Sequence, residues 1–406
     1  MRIVMVGNFG LRTKGTMVAR ALPLARALAR RGHQVCLTLP PWDSPEDAGR
    51  EEVVDGIPVL YTHLPPALPG LRHLLLALWL GRLAWRQRPE ALYSFKPKAY
   101  AGAVLFGFWL ARLLGLYRGR LVLDADDWEG DEGWNDRERE RFNWLERRFI
   151  AWHEGWCLRH ADAITFASRA LEPLARRAGA TRLYYLPIGY SPPLGAPLPD
   201  GGTIRARLGL VDRPVLLAYT RLAEFAPARL VDVFARIAAS RPDAVLLVVG
   251  RGLHGEEAEL RREVERRGLA GQVVEVGWVE PADIPGYLAA ADLALHLLDD
   301  SLLNRTKGQA KLLELLAAGV PVVADAVGQA TEYVADGRTG RLVPPGDAAA
   351  MAAAALCLLA DPARRKALGR AAAADVRERW GWDHWAGAAE DALGVGGPAL
   401  AAHQHA

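Results

Sequence analysis

The feature that most limits what this chain can fold into is an alternation, run twice, of short apolar stretches with helical ones. In the first half, stretches of strand length fall at Ile3–Val6, Gln34–Leu39, Val59–His63, Ala91–Phe95, Leu121–Asp124, Ala163–Phe166 and Leu183–Leu186, separated by helical segments. In the second half they fall at Val215–Tyr219, Ala244–Val249, Val273–Val276, Leu293–Leu297 and Val320–Ala324. Strand-then-helix repetition of this kind implies parallel sheets covered on both faces. Between the halves, residues 191–202 read SPPLGAPLPDGG, without an apolar period, as an interdomain linker would. At 406 residues with 51% hydrophobic side chains, the chain can bury two cores. The expected architecture is α/β: two Rossmann-like, doubly wound parallel-sheet domains facing a cleft. The N-terminal domain spans 1–190 and the C-terminal domain 203–380. Ala349–Trp380 reads as an alanine-rich helix, and a further helix over 381–395 is expected to return to the N-terminal domain, ahead of a tail at 396–406.

Charge and composition exclude several function classes. The formal charge is +3, with basic and acidic residues mixed, which is no footprint for nucleic acid. Cys36, Cys157 and Cys357 are odd in number and widely spaced, against a disulfide framework or a zinc site. The N-terminal apolar run ends at Gly7, too short for a signal peptide, so the expected compartment is the cytoplasm. Ala99–Leu116 approaches the length of a membrane span, but Arg112 interrupts it and a strand follows, as for a buried crossover helix. Leu71–Arg88 places Arg72, Arg82, Arg86 and Arg88 among Leu and Trp. Two readings stand for it: an interfacial helix making peripheral contact with the inner membrane surface, or a solvated helix over a sheet. Pro23 falls inside the helical stretch ending at Arg31, where it must kink or restart the helix.

The stretch Asn304–Ala324, NRTKGQAKLLELLAAGVPVVA, concentrates the chemistry. A loop carrying Arg305 and Lys307 leads to Gly308; Gln309–Ala318 then reads as a helix, stopped by Gly319 before a strand. The first amides of such a helix attract an anion, and Lys311 adds a full charge in its first turn. Glu314 shares a face with Lys311 and could accept two ribose hydroxyl protons. The pair could equally be an ordinary surface ion pair on a core helix. A second motif, Gly250–Gly255, fits GxGxxG with Glu275 twenty residues beyond, as an NAD-dependent oxidoreductase or a sugar-nucleotide epimerase would want. Glu256, Glu257 and Glu259 crowd the same helix start and would repel a pyrophosphate. Asp124, Asp126 and Asp127 follow a strand, where they could orient or deprotonate a hydroxyl, bind Mg²⁺, or cap the next helix. His153, Cys157 and His160 share a helical face without a fourth ligand, and no metal is assigned.

Several segments resemble the retaining family 4 glycosyltransferases of GT-B fold: RALARRGHQV (Arg26–Val35), ADAITFAS (Ala161–Ser168), YLPIG (Tyr185–Gly189), VVGRG (Val248–Gly252), KLLELLAAGVPVVA (Lys311–Ala324) and EYVADGRTGRLVPPGD (Glu332–Asp347). The resemblance implies a nucleotide-diphosphate sugar as co-substrate, with no cofactor and no metal. It implies a glycan or lipid-linked acceptor in cell-surface glycan or glycolipid assembly. Residue by residue, it makes Arg221 and Lys311 the cations on the diphosphate and Glu314 the ribose carboxylate. Gly15, Gly308 and Gln309 become part of the donor site, and Val279 belongs to the loop that meets the base. Three departures stand out. Thr306 occupies the place of a sugar-holding Glu; Ala226 replaces a Lys, with Arg229 nearby; and the Asp124–Asp127 run, with Asp127 as the candidate acceptor base, stands where a His is common.

Overall fold

A computed structural model describes the chain apart from residues 13–14, 68–70, 139, 141, 192–199 and 396–406. The expected tail and most of the expected linker lie outside the described residues. The chain divides into two compact units. The first holds Met1–Gly189, Thr306–Gly308 and Trp382–Ala406; the second holds Tyr190–Arg305 and Gln309–Gly381.

The chain begins with β1 (Arg2–Val6), α1 (Leu22–Arg30), β2 (Gln34–Leu39), β3 (Glu51–Val54), β4 (Ile57–Tyr61), α2 (Arg72–Arg86) and β5 (Ala91–Phe95). It continues through α3 (Ala99–Leu113), β6 (Arg120–Ala125), α4 (Trp134–Arg137), α5 (Trp144–His160), β7 (Ala163–Phe166), α6 (Leu171–Arg177) and β8 (Leu183–Tyr185). These strands form an eight-stranded sheet in the order β3-β4-β2-β1-β5-β6-β7-β8. Tyr93, Leu121, Leu123 and Ile164 are buried in it because both faces are covered. The sheet is not wholly parallel as expected: β3 pairs antiparallel with β4 across Asp55–Gly56, both at positive φ. Asp-Gly is the residue pair such a tight hairpin demands, a local signal the strand pattern overlooked. The helix carrying Pro23 restarts, as that residue requires: a π-helical turn, Met17–Ala21, gives way to α1 with Pro23 in its first turn.

Next come α7 (Gly201–Leu208), β9 (Val215–Tyr219), α8 (Pro227–Ser240), β10 (Val245–Val249), α9 (Glu257–Arg266), β11 (Val273–Gly277), α10 (Ile284–Ala289) and β12 (Leu293–His296). After them follow α11 (Leu302–Thr306), α12 (Ala310–Ala317), β13 (Val322–Asp325), α13 (Ala330–Tyr333) and β14 (Arg341–Val343). The chain then forms α14 (Ala348–Ala360), α15 (Pro362–Arg379) and α16 (Trp382–Leu393). The second sheet is parallel, in the order β11-β10-β9-β12-β13-β14. Two expectations are corrected here. The single alanine-rich helix expected over 349–380 is two helices, because Asp361 accepts from the Arg364 amide and Pro362 cannot continue the first. The expected loop before α12 contains a short helix, α11, and Arg305 on it is tied to Asp300 at 2.5 and 2.7 Å. In the first unit α16 packs on α1, β7 and β8, and its Glu390 meets the His33 ring at 2.9 Å.

Candidate active site

In open α/β sheets ligands collect at the carboxyl ends of the strands, where the strand order reverses. In the second sheet that point lies between β9 and β12. β9 ends at Tyr219, and Thr220 and Arg221 follow in a tight turn. Leu222 there has φ 57°, and its amide donates to Thr220 Oγ1 at 2.9 Å. This places Arg221 at the strand end with its guanidinium substantially exposed, 3.4 Å from Glu224.

α12 opens beside this turn. Gln309, just before it, is locked in place: its amide donates to Gln329 Oε1 at 2.9 Å and its side chain donates to the Val327 carbonyl at 2.9 Å. Its remaining oxygen faces the His296 ring at 3.3 Å. The Lys311 ammonium sits over the Tyr219 ring, 3.8 Å from its centre. Glu314, one turn on, is not a surface ion-pair partner. Burial raises its carboxyl above the usual range, against the pull of a Tyr219 hydrogen bond and of Lys311. Its Oε2 is buried without a hydrogen-bond partner, an acceptor that a ligand hydroxyl would satisfy. One aromatic side chain, Tyr219, thus touches both charged residues the sequence singled out, although its own position in a strand gave no hint of this.

Three nearby polar residues serve the scaffold. Arg229 pairs with Asp325 at 2.7 Å and Asp299 at 3.2 Å, so its charge is already answered. The Asn304 amide donates to the Glu224 and Asp299 carbonyls, each at 2.8 Å. Gln309 is committed as described. A cavity of about 440 Å³ lies at the ends of β9, β10 and β11, lined by Leu222, Gly250, Arg251, Glu275 and Gly277. Val279, half-buried, follows two residues beyond Gly277. Gly250 is required there: its φ is 123°, and a Cβ would lie 1.8 Å from the Thr220 carbonyl oxygen. The dinucleotide reading of this loop fails, because Glu257 accepts from the Gly252 amide and Glu256 from the His254 amide, each at 2.7 Å. The amides a pyrophosphate would use are taken.

In the first unit the strand order reverses between β1 and β5. Lys96, immediately after β5, has φ 72° and is buried. Its ammonium lies 2.9 Å from Asp126, 2.9 Å from Asp127 and 3.2 Å from Glu129. Burial alone would discharge this lysine, but the carboxylates hold it protonated, well above the ordinary lysine value. Burial pushes the Asp126 carboxyl up to about 6 despite Lys96. Asp124 is clamped by Arg20 through two bonds of 2.6 and 2.7 Å and receives the Thr165 hydroxyl at 2.6 Å. Arg20 and Lys96 therefore fill the places that a metal ion among these aspartates would take, and Asp127 remains fixed by Lys96. Neither cation was legible as a partner, since each lies far from the acidic run in sequence.

The other expected site residues are placed as follows. Gly15 is exposed at the start of the helical run, with no described atom within 4 Å of where a Cβ would point. Thr306 is buried, and its carbonyl accepts from the Ser168 hydroxyl at 2.8 Å. The Gly308 amide donates to the Asp126 carbonyl at 3.1 Å. A Cβ at Gly308 would come within 2.4 Å of the Ile188 side-chain tip, which would have to shift to admit a larger residue. Thr306, Gly308, Gly15 and Asp127 thus belong to the first unit. Arg221, Val279, Gln309, Lys311 and Glu314 belong to the second.

A profile for "Glycosyl transferases group 1" matches residues 213–361, and one for a "Glycosyl transferase 4-like domain" matches residues 15–190. The chain belongs to the family 4 glycosyltransferases. Among curated relatives of this glycosyltransferase, the GDP-mannose-dependent alpha-(1-6)-phosphatidylinositol monomannoside mannosyltransferase of Mycolicibacterium smegmatis is 34% identical over 239 residues, covering 55% of this chain and 59% of the relative. A 2-deoxystreptamine N-acetyl-D-glucosaminyltransferase of Streptomyces fradiae is 29% identical over 400 residues, 91% of this chain and 88% of the relative. The chain spans only about half to three fifths of the mannosyltransferases it matches, 48% in one case. Among solved structures, sucrose-phosphate synthase from Thermosynechococcus elongatus superposes with a TM-score of 0.72 at 22% identity, over 96% of this chain and 98% of that one. That likeness carries the GT-B fold.

Proposed function

We propose that this protein transfers a hexosyl group from a nucleotide-diphosphate sugar to an acceptor hydroxyl, with retention of anomeric configuration, in the assembly of cell-surface glycans or glycolipids. The observation that carries the reading is the meeting of Lys311 and Glu314 on Tyr219 at the reversal point of the second sheet, with the guanidinium of Arg221 exposed in the turn just after that strand.

In this reading the leaving nucleotide diphosphate builds negative charge, which Arg221, Lys311 and the amides opening α12 stabilise without a metal. The open oxygen of Glu314 receives the ribose hydroxyls. The loop at Val279, by the cavity at the ends of β9, β10 and β11, takes the base. Gly15, Thr306 and Gly308 are further donor-site residues in this proposal, and Gln309, held by Gln329 and Val327, fixes the opening of α12. Asp127, oriented by Lys96, accepts from the acceptor hydroxyl. The Mycolicibacterium relative is named for a phosphatidylinositol monomannoside, which supports a lipid-linked acceptor here; the cytoplasmic side of the membrane surface is the proposed place of work.

The test is a screen of GDP-, UDP- and ADP-sugars with released nucleotide as readout, run with and without polyprenyl-phosphate and phosphatidylinositol glycolipid acceptors. Acceptor-dependent release from at least one donor is the expected result. Stabilisation by NAD, with no nucleotide sugar turned over or bound, would overturn the proposal.

A further inference from the structure

Helices α2, α3 and α5 pack side by side in the first unit, α2 on α3 and α3 on α5. Each keeps an apolar stripe out of the core. Leu74 and Leu78 on α2, Leu113 on α3, and Trp144, Phe149 and Trp152 on α5 are 56–63% exposed. Aromatic contacts tie the helices together beneath these residues: Trp85 of α2 meets the buried Phe108 of α3 at 5.2 Å, and the half-buried Trp156 of α5 meets Phe106 of α3 at 4.9 Å. Half of the large apolar side chains exposed among the described residues lie on these three helices.

A monomer seldom leaves so many large apolar side chains bare on neighbouring helices. The charges among the stripes indicate what covers it. Arg82 and Arg86 on α2 and Arg148 on α5 are exposed. The acidic residue that starts α5, Glu146, is consumed in a capping box with Asn143. Tryptophan and leucine flanked by arginine, on helices packed side by side, suit the boundary of an anionic bilayer, where each basic residue adds attraction to the headgroups. No helix among the described residues is long and apolar enough to cross a membrane, so contact would be at the surface.

We infer that the α2–α3–α5 face docks on a bilayer containing anionic phospholipid. The inference deepens the lipid-linked acceptor reading and rests on it for its purpose. Binding itself is measured without donor or acceptor, so the two can fail separately.

The full chain is sedimented with phosphatidylcholine vesicles and with the same vesicles containing phosphatidylglycerol. The expected result is strong co-sedimentation with the anionic vesicles, weakened by salt, and a blue shift of tryptophan emission. The exposed double variant Phe149→Ser/Trp152→Ser should fold normally and lose affinity by more than about tenfold. Arg82→Gln/Arg86→Gln/Arg148→Gln should bind anionic vesicles no better than neutral ones. Equal binding by wild type and the Phe149→Ser/Trp152→Ser variant overturns the inference. So does a dimer in sedimentation velocity that the same variant dissociates while vesicles capture nothing. Acceptor-dependent sugar transfer without vesicle binding would reject the docking face and leave the glycosyl transfer standing.

Discussion

Replacing Lys96 with methionine keeps much of its volume and removes a buried ammonium that touches three carboxylates, at 2.9, 2.9 and 3.2 Å. The lysine side chain is 7% exposed, so solvent screens the lost interactions little. Removing one partner of a buried ion cluster leaves uncompensated charge and costs about 3–5 kcal/mol. The loss must depend on pH. Asp126 already has its carboxyl raised to about 6 by burial, and without Lys96 it rises further. A carboxyl raised in the folded state favours folding while it is protonated, and that advantage is lost as pH climbs through the folded value. The variant should therefore be most destabilised at pH 8 and regain at least about 1 kcal/mol relative to wild type at pH 5, where Asp126 takes up a proton. Urea unfolding of both proteins at the two pH values, followed by tryptophan fluorescence, reads this directly. A loss below about 1 kcal/mol, or one equal at both pH values, would refute the reasoning.

Other outcomes follow from the same geometry. Tyr219→Phe keeps the ring beneath Lys311 but removes the hydroxyl beside Glu314, so steady-state kinetics should show the donor KM raised about 2- to 10-fold with kcat little changed, the effect of one hydrogen bond. A lower kcat at constant KM would contradict a role in donor binding. Thr306→Ala should change turnover by less than about tenfold, because a neutral hydroxyl offers at most one neutral hydrogen bond to the sugar. A far larger loss with nucleotide binding intact would place Thr306 in the transition state. Activity should survive EDTA, since Arg20 and Lys96 already neutralise the aspartate run; full loss restored by Mg²⁺ or Mn²⁺ would assign that run to a metal.

Strands buried on both faces were legible because they must be apolar throughout, as β9 and β10 are, whereas the edge strands β3 and β14 were not. Pro23 announced the helix restart, and the glutamates after Gly252 announced that no pyrophosphate sits there. The hairpin at Asp55–Gly56 carried only a local signal, since β3 alternates exposed and half-buried residues and lacks an apolar run. What no local pattern could convey were pairings across the fold. Arg20 meets Asp124 over 104 residues, Lys96 reaches Asp127 over 31, and Tyr219 lies under Lys311. Chain topology alone brings such partners together, so the sequence named the charged residues but not the groups that position them. The apolar stripes of α3 and α5 were hidden for a related reason: a hydrophobic helix reads as core until its neighbours are known to leave one side open.

The most direct test of the central claim is the rate of sugar transfer by Arg221→Ala and Lys311→Ala beside wild type, each with the donor that wild type turns over. Each variant should fold normally and lose about 10²- to 10³-fold in turnover, because each removes a cation from the charge that develops on the departing diphosphate. Near-normal rates in both folded variants would contradict the account.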